Sequence, residues 1–401
     1  MSLTYDKFER VFDGAFPRFT KYSTLPPNSK LQLVVDHYKI RPQFKDPKRH
    51  PINLYFCHGT GMNKSIWKYY AKRLMSYSFN HPELSWQINN IIAIDSATHG
   101  ESAILNNGKL GYEYDWRDGG RDLNKIANQL NFEGFNIGVG HSMGGFHTMF
   151  AASLSPALFR FMILIEPVSN IGERYMNKEI EIMWDNLMAV VDRALITEFP
   201  NESSFNDYFQ NKGFFTKFNK EILHDLIESE KLIHSDGKVS TKTNKQLQMI
   251  SYTSSKKVVP IGLDVVERID IPLVHIQGDK SDWTIPAHAK IFRNHIKQLD
   301  PYNIPHGRHL VNGEHPEDIL GIIIKSLNKY ILNTDEVDFT DRPQLNHKEY
   351  TTLFNKGYNE HAKKNLVFRK KKRQQQQRVG EIKEVQVPSN HEQLKAPLAK
   401  L

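Results

Sequence analysis

The chain has 401 residues, 39% hydrophobic and 24% charged, with 53 Lys and Arg against 45 Asp and Glu for a formal net charge of +8. That mix supplies material for a sizeable apolar core and excludes a wholly disordered chain. No stretch reaches the ~18 consecutive apolar residues of a membrane span; the most apolar run, 159–168, is interrupted by Arg160 and Glu166. The opening MSLTYDKFERVFDG has no apolar segment behind a basic start, so no secretory leader is expected. A single cysteine, Cys57, forms no internal disulfide and fits a reducing compartment.

From residue 31 to about 330, strand-like and helix-like segments alternate. The first strands are predicted over 31–35, 52–57 and 90–95. The second runs into His58-Gly59-Thr60-Gly61, where glycines free the backbone to present N–H groups. His58 is expected to hold that loop, and Cys57, inside the strand, to be buried and inert. The third strand leads into Asp95-Ser-Ala-Thr-His99-Gly100-Glu-Ser102. A dense polar cluster over 115–122 reads as the capped start of a helix over 122–131.

The next strand, 136–140, passes through Gly140-His141-Ser142-Met143-Gly144-Gly145 into a small-residue helix over 144–153. This is G-x-S-x-G at a strand–turn–helix junction. A sharp turn there projects the serine hydroxyl from the sheet. Gly140 and Gly144 let strand and helix approach without a Cβ clash, and the Met143 N–H at the helix start faces a developing negative charge. The plainer alternative is that Ser142 only caps the helix.

A strand over 161–166 ends in Glu166, before Pro167. The rhythm then breaks until about residue 263. Ile180, Met183, Leu187, Val190 and Val191 recur at helical spacing, and Phe205, Tyr208, Phe209, Phe214, Phe215 and Phe218 crowd together. A largely helical insertion over the sheet is predicted. Its aromatic residues either line a pocket or bury the insertion's own underside. The sheet pattern resumes at 272–278, whose loop carries Asp279 and Asp282. A helix over 287–298 and a strand over 301–304 follow, then His306, His309 and His315, and a helix over 316–332. The predicted organisation is 1–167 and 264–332 for the two parts of an α/β core with a mostly parallel sheet, 168–263 for the insertion, and 333–401 for a tail. A serine nucleophile needs a base, and the base needs an orienting carboxylate. The candidates are His306, His309 or His315, with Asp282, Asp279 or Glu166.

Over about residues 30–332 this combination resembles the α/β-hydrolase superfamily of serine esterases and lipases. The resemblance implies the α/β-hydrolase fold, with an inserted helical lid and a flexible basic C-terminal tail. It favours Asp282, which stands four residues before Pro286 as in the family's G-x-x-D-x-x-x-P, although one extra residue separates it from Gly278. Asp279 comes second, and Glu166, where some members place their acid, third. It favours His309, five residues before Glu314 with Pro316 beyond. The segment 95–102 resembles the family's D-x-x-x-H-G-x-S loop, taken as architecture. The implied chemistry is attack by Ser142 on an ester or thioester carbonyl, with His309 as base and Asp282 orienting it. The N–H groups of Met143 and Thr60, with Gly61 second, bind the oxyanion. No cofactor and no metal are expected.

The tail holds 14 Lys and Arg against 9 Asp and Glu over 333–401, and its sharpest feature is Arg369-Lys-Lys-Lys-Arg373. Such a run suits a nucleic-acid, nuclear-import or anionic-membrane patch. No aromatic residue interleaves with these cations, so a solvated extension is the expectation and no nucleic-acid partner is expected. The chain ends Ala399-Lys400-Leu401, a close variant of the Ser-Lys-Leu address read by the peroxisomal import receptor. Elbow, insertion and terminus together resemble the fungal peroxisomal lipase-like branch. That implies a lipid-like ester substrate, such as an acylglycerol, and a place in the peroxisomal matrix. An acyl-CoA thioesterase and a non-catalytic scaffold are the alternatives; the former predicts a cationic site for CoA phosphates, and no such cluster lies near the motifs.

Overall fold

The computed structural model describes residues 4–26, 28–168, 178–258, 260–281, 283, 286–332 and 345–363. The chain divides into two compact units, Met1–Asp335 and Glu336–Leu401. In the first, eight strands form one sheet in the order β1 (Tyr5–Asp13), β2 (Gln32–Ile40), β4 (Trp86–Ile94), β3 (His50–Cys57), β5 (Phe135–His141), β6 (Phe161–Ile165), β10 (Leu273–Gly278) and β11 (Leu299–Ile304). β2 runs antiparallel to β1 and β4, and every other pairing is parallel. A mostly parallel sheet is what the alternating sequence predicts.

The central strands read as continuous apolar runs because both of their faces are covered. All five residues of β6, Phe-Met-Ile-Leu-Ile, are buried. Helix Trp116–Leu130 starts six residues ahead of the predicted 122, because the cap is the first residue of the polar cluster: the Asp115 side chain accepts from the Arg117 N–H at 2.9 Å, and Leu123, Ile126 and Ala127 turn inward. Two features escape the sequence pattern. β1 is an edge strand that leaves Phe8 and Val11 exposed, so its alternation is weak. Between β6 and β10, helices Lys178–Ala194, Lys220–Glu230 and Lys245–Thr253 accompany a small antiparallel sheet. That sheet is β7 (Glu198–Phe199), β9 (Val239–Thr241) and β8 (Lys231–Ile233). Strands of two or three residues are too short to print a period.

The parallel strands end on one rim, where ligands of open α/β sheets bind. β5 ends beside Ser142, β6 beside Glu166, and the loop after β11 carries His309. Close approach of strand and helix sets the elbow. A Cβ on Gly140 would stand 2.3 Å from the Gly144 carbonyl oxygen, and one on Gly144 would stand 2.2 Å from that of Cys57. Both obstacles are backbone, so they yield only by moving the helix. Gly144→Ala is therefore expected to destabilise the protein by about 1–3 kcal/mol, read as a lower thermal midpoint. An unchanged midpoint would contradict this packing.

Candidate active site

Ser142 occupies the turn between β5 and helix Met143–Leu154 with φ 52° and ψ −116°. A non-glycine residue at positive φ is strained, and such strain persists only where its surroundings enforce it. Here the Ser142 N–H donates to the Ile165 carbonyl at 3.0 Å, tying the elbow to the end of β6. Its hydroxyl oxygen lies 2.9 Å from His309 Nε2, and His309 Nδ1 lies 3.3 Å from Glu166 Oε2. Ser142 and His309 are nearly closed off from solvent and Glu166 is wholly buried.

Burial acts to raise the Glu166 carboxyl. Hydrogen bonds outweigh it: His309 faces one oxygen, the Ser281 hydroxyl donates to the same oxygen at 2.6 Å, and the Gly278 N–H donates to the other at 2.6 Å. The carboxyl is held below its ordinary range and stays ionised beneath the imidazole. His309 is fixed from two further sides. The Trp283 ring stacks on it at a centroid distance of 5.0 Å and 17°, and His141 Nε2–H donates to its carbonyl at 2.8 Å.

The structure thus brings Ser142 and His309 together. Asp282 lies outside the described residues. Asp279 is exposed, with its N–H bonded to the Ile304 carbonyl. The carboxylate that meets His309 among the described residues is Glu166, third in the sequence ranking. Its signal was an apolar strand ending in a carboxylate; the missing information was that β6 lies next to β5. His306 is exposed on its turn, and His315 faces Asp318 at 3.5 Å.

Thr60 lines the same space, and its hydroxyl donates to Met143 Sδ at 3.5 Å. The Gly61 N–H is engaged by His99 Nε2 at 3.2 Å. Met143 is the first residue of its helix, where N–H groups lack intrahelical acceptors. His58 donates from Nδ1 to the Gly59 carbonyl and accepts at Nε2 from the Ser96 N–H, so it braces this loop. Cys57 is buried, and burial pushes its thiol up to about 12.

The cavity over Ser142 has a volume of about 40 Å³, walled by Phe214, Phe215 and Tyr252 from the insertion and by Trp283 and Leu310 from the core. That is room for a water-sized guest. The aromatic cluster divides: Phe205, Tyr208, Phe209 and Phe218 lie in the core, whereas Phe214 and Phe215 also face the cavity. Ala399, Lys400 and Leu401 and the run 369–373 lie outside the described residues. Among the described residues no helix is long and apolar enough to cross a membrane.

Comparison with known proteins places this geometry. The profile of the alpha/beta hydrolase family matches residues 54–321. A Saccharomyces cerevisiae protein named "Peroxisomal membrane protein LPX1" is 30% identical over 380 residues, covering 90% of this chain and 97% of its own. The crystal structure of the S. cerevisiae peroxisomal α/β-hydrolase Lpx1 matches with a TM-score of 0.75 over 90% of this chain and 98% of that one. That relative is peroxisomal, in agreement with the location drawn from the terminal Ala-Lys-Leu. A Penicillium roqueforti protein named type I acyl-CoA thioesterase mpaH is 28% identical over 163 residues, 40% of this chain and 36% of its own.

Burial lowers the pKa of six imidazoles: to about 3 for His141 and His147, to about 4 for His37 and His275, and below the ordinary value for His58 and His99. Burial also raises the Asp118 and Glu230 carboxyls, which pull the other way, but two carboxyls face six imidazoles. As pH falls through about 6.5 the unfolded chain takes up protons that the folded chain refuses, so stability falls with pH. Each of the four imidazoles lowered to about 3 or about 4 contributes about 1–2 kcal/mol of this loss by pH ~5. The urea midpoint is expected to drop steeply between pH ~7 and ~5. A flat midpoint across that window would contradict the neutral histidine shell.

Proposed function

This chain belongs to the alpha/beta hydrolase family, and on that premise we propose that it is a serine hydrolase cleaving carboxylic ester bonds of lipid-like substrates through Ser142, His309 and Glu166. The observation that carries the reading is the continuous line from Ser142 Oγ through the His309 ring to Glu166 Oε2, at 2.9 and 3.3 Å.

In the proposed reaction Ser142 Oγ attacks the carbonyl carbon while His309 Nε2 takes its proton. The carbonyl π electrons move to oxygen, and the oxyanion is met by the N–H groups of Thr60 and Met143. Collapse expels the alcohol, which leaves with the proton from His309. Water then attacks the acyl-enzyme with His309 again as base, releasing the acid and restoring Ser142. Glu166 stays ionised throughout, fixes the Nδ1–H tautomer and stabilises the transient imidazolium. Its burial and its hydrogen bonds from Ser281 and Gly278 support giving it the role for which the family resemblance favours Asp282. No cofactor or metal takes part.

The apolar cavity wall of Phe214, Phe215, Trp283 and Leu310 supports an apolar acyl group. In this reading residues 168–263 form the lid over that group, and residues 333–401 form the tail. Ala399-Lys400-Leu401 is the segment the import receptor reads, as befits a relative of a peroxisomal hydrolase. The Penicillium thioesterase relatives favour a second reading in which the bond is an acyl-CoA thioester; the catalytic groups are the same and only the leaving group differs.

Ser142→Ala is expected to abolish hydrolysis with an unchanged thermal midpoint. Glu166→Gln should lower kcat by about 10²–10⁴ with KM little altered, whereas Asp282→Asn should stay within a few-fold of the parent. Steady-state kinetics on a p-nitrophenyl ester read all three. A large loss in Asp282→Asn with an active Glu166→Gln would return the acid to Asp282. Across p-nitrophenyl esters, acylglycerols and acyl-CoAs, the oxygen esters are expected to show the higher kcat/KM. A thioester preference of tenfold or more would establish the second reading instead.

A further inference from the structure

The second unit contains a feature that the hydrolytic site does not use. Helix His347–Gly357 continues as a π-helical turn over Tyr358–Lys363. Its start is fixed by a capping box: the Asn346 side chain accepts from the Glu349 N–H at 3.0 Å, and the Glu349 side chain accepts from the Asn346 N–H at 3.1 Å. Tyr350, Leu353, Phe354 and Tyr358 recur at i, i+3, i+4 and i+8, one face of a helix. All four are about half exposed, between 48% and 56%. The rings of Tyr350, Phe354 and Tyr358 stack in sequence at 5.8 and 6.4 Å. No residue of this helix is buried. An aromatic face held open on a well-capped helix needs a cover.

Charge identifies the cover. Residues 345–373 carry nine Lys and Arg against two Glu, whereas 374–401 carry four against three. Residues 345–363 carry three Lys against two Glu, and the ten residues that follow carry six Lys and Arg and no acid, so the positive charge adjoins the aromatic helix on its C-terminal side. The sequence pattern set the run 369–373 aside because no aromatic residue interleaves with it; the structure supplies the aromatic residues on the helix just before it. Tyr and Phe favour the headgroup boundary of a bilayer, where the ring is buried and the hydroxyl stays wet. Neighbouring lysines and arginines add attraction to anionic headgroups. We propose that the face of Tyr350, Leu353, Phe354 and Tyr358 docks on an anionic membrane surface, lying in its plane without crossing it. This interaction is independent of the hydrolytic chemistry.

The test is co-sedimentation of the full chain with phosphatidylcholine vesicles with and without about 30% phosphatidylserine. The chain is expected to pellet with the anionic vesicles, to remain in solution with the neutral ones, and to be released by ~0.5 M salt. The double variant Leu353→Glu, Phe354→Glu should lower the bound fraction at least about tenfold at an unchanged thermal midpoint, since these side chains are exposed. Three results would overturn the proposal: no binding of the parent chain to anionic vesicles, equal binding by the double variant, or conversion of a dimer to a monomer by the double variant without loss of vesicle binding. The last would assign the face to a second copy of the chain.

Discussion

The bond from the Ser142 N–H to the Ile165 carbonyl, 3.0 Å long, is the contact on which the site depends. It holds a serine at φ 52°, a conformation that costs on the order of 1–3 kcal/mol. It also fixes the nucleophile against the strand that delivers Glu166 as its next residue. The preceding residue repeats the device on the other side, since His141 grips the carbonyl of His309. Two adjacent residues of the elbow thereby set the positions of the proposed acid and base. Gly140 and Gly144 make this possible by letting strand and helix touch. The site is preorganised by backbone contacts rather than by long flexible side chains, as electrostatic catalysis requires.

The same network reaches the insertion. His99 accepts from Gly61, which leaves its Nδ1–H to donate to Thr98, whose hydroxyl can donate to Ser251 on helix Lys245–Thr253. The Tyr252 hydroxyl from that helix donates to the Thr60 carbonyl at 3.3 Å, and the Trp116 indole N–H donates to the Ser251 carbonyl at 2.8 Å. The loop that carries the proposed oxyanion donor is therefore bonded to the element that closes the cavity. The cavity wall and the proposed oxyanion loop are coupled through these bonds. The chain of donors also requires neutral histidines, which burial provides.

Much of this was legible in the sequence because it is local. The elbow announces itself through glycines whose spacing follows from one close contact, and the central strands through unbroken apolar runs. His309 was reached through the Glu314 and Pro316 that follow it. The carboxylate that stands beside His309 among the described residues was not legible in the same way. Whether a carboxylate after 161–165 or one after 272–278 meets His309 depends on the side-chain paths at the rim, and no short-range pattern encodes those. β1 and the small sheet β7-β9-β8 were missed for other reasons: one is a half-exposed edge, the other too short for any period. The aromatic face of helix His347–Gly357 was printed at helical spacing, but the sequence does not say that no residue of this helix is buried.

The account stands on the claim that His309 activates Ser142. Reaction of the full chain with a fluorophosphonate probe, followed by peptide mapping of the adduct, tests that claim directly. The account predicts a single adduct on Ser142, and a labelling rate at least about 100-fold lower when His309 is replaced by Ala. An adduct on another residue, or undiminished labelling of Ser142 without His309, would contradict it.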